Sequence, residues 1–462
     1  MALPTTTSTP DGPPRAITST PEAARPATTS TPEAARPATT AAPNGRLAWL
    51  DALRGIAALA VVCDHMIFAM PVFRALRGPA ASAALGQYGV FVFFLVSGYI
   101  VPASLERKGS VRSFWVSRVF RLYPLYLLAS AALVALALIH LGSLAGGGQH
   151  PVSSVLGHLL MMSNVLDGPN APYTVWTLSY EMVFYILLTA LFLGRAQGRS
   201  GSFALGFAVL ALGIGGLLPT AAISDSFLGF RIVDLAADAL VIGGLAVAAL
   251  SRHRLPRLLG GALAAVTVLT LMAFNEPAFT TPSRALAILA LMFTGTLIFR
   301  AEHGQVSKVP AAAGITAVFT LTLASCLWNG TSGGLLATLQ TQEPWLISIS
   351  LAGLTFLAGI TLRNRRVPAM LAWLGLVSYS VYLLHPLLLG IYTRVPWLVG
   401  EQSVPMELLT AGGLLAAVLV VSTAAYRSVE APAQRLGRRL NRYLDARLGA
   451  DRVVAGLAPG SR

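Results

Sequence analysis

The sequence predicts an all-α polytopic transmembrane helical bundle of ten to twelve spans, with both termini in the cytoplasm. Three observations predict it. Of 462 residues, 55% are hydrophobic and only 11% charged, less than half of the about 25% that soluble domains carry. That is too little charge to wet a surface, so a soluble multidomain enzyme is excluded. Apolar runs of about 20 residues, the length that crosses a bilayer, recur along the chain, and mean hydropathy is +0.67. The surplus of 33 Lys+Arg over 19 Asp+Glu, a net +14, sits in short clusters between those runs. A basic chain can suggest nucleic acid, but clusters so placed fix orientation in a membrane. The bilayer is therefore the expected partner, and nucleic acid is not.

Residues 1–45 differ in composition, being rich in Thr, Pro and Ala. The unit TSTPEAARPAT runs from Thr18 to Thr28 and repeats from Thr29 to Thr39. Two Pro-rich copies bury too little apolar area to offset chain entropy, which predicts a disordered cytoplasmic tail. It lacks an early apolar h-region, so it does not read as a signal peptide. A tether or partner-binding arm is its functional reading, and an idle low-complexity extension the plain one.

Residues 46–432 read as the membrane domain. Six helices are predicted near Leu47–Met70, Gly86–Leu105, Arg121–Leu141, Thr174–Gly194, Phe203–Thr220 and Ile232–Leu250. Six more follow near Leu258–Asn275, Arg284–Phe299, Ala311–Trp328, Trp345–Leu362, Met370–Tyr392 and Met406–Tyr426. With alternate loops on one side, that side collects Arg107 through Arg121, Arg195 and Arg199, Arg252 through Arg257, Arg300 and Lys308, and Arg363 through Arg366. The other side holds only Arg74, Arg77, Arg231, Arg284 and Arg394. The richer side is cytoplasmic by the positive-inside rule. Residues 433–462, with Arg435, Arg438, Arg439 and Arg442, form a basic cytoplasmic tail that reads as an anchor to anionic lipid. Cys63 and Cys326 fall in predicted spans, so no disulfide framework is expected.

Charged side chains at mid-bilayer cost at least about 2.5–3.5 kcal/mol on insertion scales, so they default to function or pairing. The first span, LDALRGIAALAVVCDHM, holds Asp51, Arg54, Asp64 and His65. Eleven residues separate Arg54 from His65, about 20° around the axis and about 16 Å along it, which puts them on one stripe. Asp51, one turn before Arg54, is placed to pair with it. Glu181 in TVWTLSYEMVFYILL and His385 in LGLVSYSVYLLHP fall at a depth similar to that of His65. A neutral imidazole takes a proton from a hydroxyl, and a carboxylate beside it orients the ring. Arg118 and Arg121, in the loop VSRVFRLYPLYLL before the third span, lie one turn apart and suit a phosphate, or else anchor the helix. Gly98 suits close helix packing, and Ser97 suits a bond back to a carbonyl rather than nucleophilic work. The scattered His and Cys show no metal spacing, and no glycine-rich phosphate loop opens a helix.

In order, LDALRGIAALAVVCDH, FFLVSGYIVP, RVFRLYPLY, VWTLSYEMVFY, SYSVYLLHPLL and YRSVEAP resemble the membrane acyltransferase-3 family over Leu47 to Pro432. The resemblance implies acyl-CoA-dependent O-acylation of a carbohydrate or glycosylated metabolite by a multi-pass protein of the bacterial plasma membrane. It implies that Arg54 and His65 form the family's Arg/His pair, with His65 the catalytic base and Glu181 its helper. Arg118 and Arg121 match the RxxR segment that contacts acyl-CoA, the co-substrate, with Arg54 lining the passage; no permanent cofactor is implied. Glu181 matches the acidic position of a W-S-L-x-x-E segment, where this chain has Thr177 and Tyr180, and His385 falls in the Y-x-x-Y-L-x-H-P pattern. Asp51, Asp64, Trp176, Ser179, Tyr379, Tyr382 and His385 are candidates to line the acceptor site. Family members usually have about ten helices, against the twelve runs counted here.

The expected reaction moves an acetyl or other short acyl group onto a hydroxyl, directly or through a transient acyl-enzyme. A proton-coupled transporter of a polar or lipid-linked molecule is the rival, since it also uses intramembrane His and Glu. The absence of an evident inverted repeat counts against it.

Overall fold

A computed structural model describes residues 48–76, 78, 81–139, 151–165, 172–219, 233–274, 280–328, 334–399 and 402–449. The N-terminal repeat, Arg77, Arg231 and the end of the C-terminal tail lie outside the described residues. The first half of the chain contains α1 (Ala48–Ala69), α2 (Ala81–Lys108), α3 (Val111–Leu138), α4 (Pro151–Leu159), α5 (Trp176–Leu193), α6 (Ser200–Gly213) and α7 (Asp234–Leu250). Then come α8 (Arg254–Phe274), α9 (Pro282–Glu302), α10 (Lys308–Trp328), α11 (Gly334–Leu362), α12 (Ala369–Arg394), α13 (Pro396–Val399), α14 (Val404–Ala425) and α15 (Ala431–Leu448). Among the described residues there is no strand.

Among the described residues, ten helices are long and apolar enough to cross a membrane. The twelve apolar runs resolve differently at two places. The runs expected at Phe203–Thr220 and Ile232–Leu250 are α6, of 14 residues, and α7, of 17, both short of the about 20 that span a bilayer. The third helix also starts ten residues before the predicted Arg121. Ser110 caps it, its hydroxyl accepting from the Ser113 N–H, so Arg118 and Arg121 sit on α3 itself rather than in a preceding loop.

Helix α1 is covered by α2 on one side and α12 on another, and α2 also packs on α9 and α11. Small residues set these approaches. A Cβ at Gly375 would collide with the Asp51 backbone, and one at Gly55 would come within 2.8 Å of the Leu374 Cβ. A Cβ at Gly98 would strike the Met292 carbonyl, and one at Gly295 the Leu95 carbonyl, so α2 and α9 meet backbone to backbone. The same crossing uses Pro102. Having no N–H, it leaves the Gly98 carbonyl without its helical donor, and Thr296 Oγ1 of α9 donates to that oxygen at 2.9 Å. Gly98→Ala is therefore expected to cost about 1–3 kcal/mol or more by overpacking. Gly206→Ala, which meets open space, is the control. Equal thermal stability of the two variants in detergent would refute the close approach.

Candidate active site

Burying α1 between α2 and α12 turns its polar stripe toward the interior. His65 lies four residues before the end of α1, and its Nδ1 is 2.8 Å from Nε2 of His385 on α12. The two rings stack, with centroids 5.1 Å apart and planes 14° from parallel. Tyr173 presents its edge to His65 at 4.9 Å. His385 is fully buried, and its Nδ1 lies 2.9 Å from the Val381 carbonyl. The following Pro386 lacks the N–H that would otherwise occupy the Tyr382 carbonyl, and the His385 ring reaches that oxygen too.

These contacts assign the tautomers. A carbonyl oxygen only accepts, so His385 Nδ1 carries a hydrogen. In neutral His385, Nε2 is then the acceptor, and His65 Nδ1 must donate to it. The remaining lone pair lies on His65 Nε2, which is the form a general base needs.

Glu181 is not the partner of His65, contrary to the expectation from depth. Tyr173 sits at the level of His65, and Glu181 follows eight residues later, about 12 Å further along the helix. Its Oε1 accepts from Ser97 Oγ at 3.3 Å and from the Tyr185 hydroxyl. Ser97 thus bonds across to α5 rather than back to a carbonyl of its own helix. Thr177, Glu181 and Tyr185 recur every four residues and form one polar face of α5.

Glu181 lines a narrow cavity with Arg54, Ser97, Thr177, Tyr379 and Tyr382. The Tyr382 hydroxyl shares a hydrogen bond of 2.8 Å with Thr177 Oγ1 and donates to the Thr174 carbonyl at 3.1 Å. Its ring is 6.1 Å from that of His385. Tyr379 donates to the Leu122 carbonyl of α3 at 2.8 Å. A polar column therefore runs from Arg54 and Glu181 past Tyr382 to the histidine pair.

At the base of this column the arginines lack hydrogen-bonded carboxylates. Arg54 is within electrostatic reach of Arg121, Asp51, Glu181 and Glu430, yet no ion pair joins any of these to it among the described residues. The Asp51–Arg54 pair expected from spacing is therefore not closed. Other arginines at this end of the bundle do find partners: Arg112 meets Asp445 at 2.7 Å, Arg363 meets Glu302 at 2.8 Å, and Arg300 meets Glu106.

Arg118 and Arg121 also part company. Arg118 is buried, its guanidinium 5.5 Å from the Phe114 ring centroid and 5.4 Å from that of Tyr185. Its Nε has no hydrogen-bond partner. Arg121 is partly exposed. Two open forks on one face, as the RxxR spacing suggested, are therefore one stacked guanidinium and one accessible guanidinium.

The remaining candidates divide. Tyr379, Tyr382 and His385 belong to the column. Asp64 is buried and accepts from the Gly86 backbone. Trp176 and Ser179 lie off the cavity wall. The Ser179 hydroxyl accepts from the Asn164 N–H at 3.2 Å, and Trp176 packs edge-on against Tyr180 at 6.1 Å. Sequence reasoning missed Glu430. It is buried at the end of a π-helical segment, Tyr426–Glu430, and accepts from Ser380 Oγ at 2.9 Å. Arg121 and Arg54 lie within its electrostatic reach. Its signal was a carboxylate in YRSVEAP between an apolar run and a basic tail.

Comparison with known proteins settles the family. The family model Acyl_transf_3, described as an acyltransferase domain, matches residues 47–427. The chain belongs to the acyltransferase-3 family. It is 34% identical to acyltransferase MdmB of Streptomyces mycarofaciens over 150 residues, 30% of this chain and 38% of that one. To nodulation protein 10 of Rhizobium leguminosarum bv. viciae it is 28% identical over 237 residues, 46% of this chain and 62% of that one. To exopolysaccharide production protein ExoZ of Rhizobium meliloti it is 25% identical over 395 residues, 84% of this chain and 98% of that one. The matches thus span less than two thirds of the first two relatives and nearly all of the third. No solved structure matches the chain. Within this acyltransferase-3 chain, the matched region contains α1, α2, α3, α5 and α12, the helices that build the column.

Proposed function

We propose that this protein is a multi-pass O-acyltransferase of the cell membrane. It moves an acetyl or other short acyl group from acyl-CoA to a hydroxyl of a carbohydrate or glycosylated metabolite. The observation that carries this reading is the His65–His385–Val381 hydrogen-bond chain, which leaves His65 Nε2 unprotonated at the far end of a column beginning at Arg54 and Glu181. The name of ExoZ, an exopolysaccharide production protein, supports a carbohydrate acceptor.

The arginine-rich end is taken as cytoplasmic, with both termini, because its loops hold most of the basic residues. Acyl-CoA enters there. Arg121 and Arg54 attract its anionic end, and its arm extends along the cavity wall past Glu181 and Tyr382. His65 Nε2 takes the acceptor hydroxyl's proton as that oxygen attacks the thioester carbonyl. The C–S bond breaks, and the departing thiolate takes the proton from the imidazolium. His385 holds the ring in register and accepts from Nδ1–H throughout, which stabilises the transient positive charge.

Vesicles containing the purified protein, given labelled acetyl-CoA and glycan acceptors, are expected to transfer label to the glycan. Proton-driven uptake of a polar solute without label transfer would overturn the reading. Arg121→Ala is expected to raise KM for acyl-CoA about tenfold or more, the effect of losing one hydrogen bond to a charged group. Lys at 121 restores little, since it lacks the bidentate fork. Arg118→Ala is expected instead to lower thermal stability by about 0.5–2 kcal/mol through lost cation–π contact. If cysteine accessibility showed that both changes alter topology alone, the two residues would be membrane anchors.

A further inference from the structure

The stacking of Arg118 removes one of the two groups expected to hold the donor's phosphates, yet an open cleft of about 600 Å³ lies next to it. Lys108 at the end of α2 and Arg435, Arg438, Arg439 and Arg442 of α15 line this cleft, and no carboxylate does. All four arginines are exposed and, among the described residues, have no ion-pair partner, whereas the nearby Asp445 is engaged by Arg112. The volume lies within the about 300–1,000 Å³ of small-molecule sites.

The cleft is built rather than incidental. Helix α15 is seated on α3, where a Cβ at Gly437 would come within 2.7 Å of the Phe120 Cβ. Asn441 Nδ2 donates to the Ser113 carbonyl at 3.3 Å and to Ser117 Oγ at 3.2 Å. Lys108 Nζ donates to the same serine hydroxyl and to the same carbonyl. The four arginines fall at i, i+3, i+4 and i+7, so they form one stripe of α15. That stripe borders the face that packs on α3 at Asn441 and, on its other side at Arg439, the exposed apolar positions Leu436 and Tyr443. On α3, Ser113, Ser117 and Arg121 share a face at four-residue spacing, which leads from the cleft floor to Arg121 and the cavity.

We propose that this cleft binds the ribose 3′-phosphate at the nucleotide end of the acyl donor, while the 5′-diphosphate lies along α3 toward Arg121 and the donor's arm continues into the cavity. The proposal rests on acyl-CoA being the donor. A lipid headgroup offers the same phosphate chemistry, and binding with and without anionic lipid separates the two sources.

The test uses the full chain in nanodiscs of phosphatidylcholine, with and without phosphatidylglycerol. Wild type and the double variant Arg438→Gln/Arg442→Gln are compared for binding of 3′-phospho-ADP and for transfer from acetyl-CoA and 3′-dephospho-acetyl-CoA. The variant is expected to bind 3′-phospho-ADP at least tenfold more weakly and to raise KM for acetyl-CoA at least tenfold. It should also lose the wild type's preference for the 3′-phosphorylated donor. Arg447→Gln, outside the cleft, should match wild type. Normal transfer with unchanged KM and unchanged donor preference in the double variant would overturn the cleft and leave the acyltransferase reading standing. A difference between wild type and variant only with phosphatidylglycerol present would assign the cleft to lipid and also overturn it. If wild type bound 3′-phospho-ADP through these arginines but transferred no acyl group, the cleft would stand and the reading of the reaction would fall.

Discussion

His65→Ala is expected to stay inserted and monodisperse while losing acyl transfer by about 10²–10⁴-fold, the contribution of a positioned general base. The side chain is partly exposed and, among the described residues, forms no ion pair, so its removal leaves no charge stranded. Retained transfer above a few per cent in the folded variant would end its assignment as the base. His385 acts through His65 and is therefore a positioning residue. His385→Phe keeps ring volume but removes the acceptor that holds His65 Nδ1–H, 2.8 Å away. It should lower kcat with KM for acyl-CoA little changed. His385→Gln offers an amide oxygen as acceptor and should recover part of kcat. Equal loss in Phe and Gln variants would reduce His385 to packing.

Much of this arrangement is legible in the residues. The stripe of Arg54 and His65 follows from 3.6 residues per turn, and the cost of placing either in a bilayer marks both as purposeful. Gly98 announces the α2–α9 approach that the structure realises through Met292. The partners of these groups are harder to read. His65 and His385 are 320 residues apart, and periodicity within a span says nothing about which helix covers it. Depth counted from predicted ends placed Glu181 beside His65. The short turn at Tyr173–Val175 lets Tyr173, not Glu181, reach that level. The start of α3 is hard to read because the polar stretch around Arg112 and Ser113 looks like loop, whereas the Ser110 cap winds it into helix. Arg118 looks open in the sequence because the Phe114 and Tyr185 faces that stack on it come from the first turn of α3 and from another helix.

Glu181→Gln should produce the second large effect. Around the cavity base, Arg54 is in electrostatic reach of Asp51, Glu181 and Glu430, and Arg121 of Asp51 and Glu430, while Arg118 and Glu181 both act on Tyr185. The carboxylates offset the arginine charge. Gln keeps the shape and an acceptor for Ser97 and Tyr185, but leaves one cation uncompensated inside the bundle. Losing the Glu181 charge beside the donor's path is expected to lower kcat/KM by about one to two orders of magnitude, in line with the about 1.5–3 kcal/mol of an interaction with a charged group. The histidine pair lies about 12 Å further along the column and shares no hydrogen-bond partner with Glu181, so the two perturbations should be independent. In a double-mutant cycle on kcat/KM, Glu181→Gln and His385→Gln are therefore expected to add in the logarithm. The milder His385 variant is used because the cycle requires a measurable rate. A double variant no worse than either single one would make Glu181 and the histidines one catalytic unit, joined by a closure of the column around bound donor.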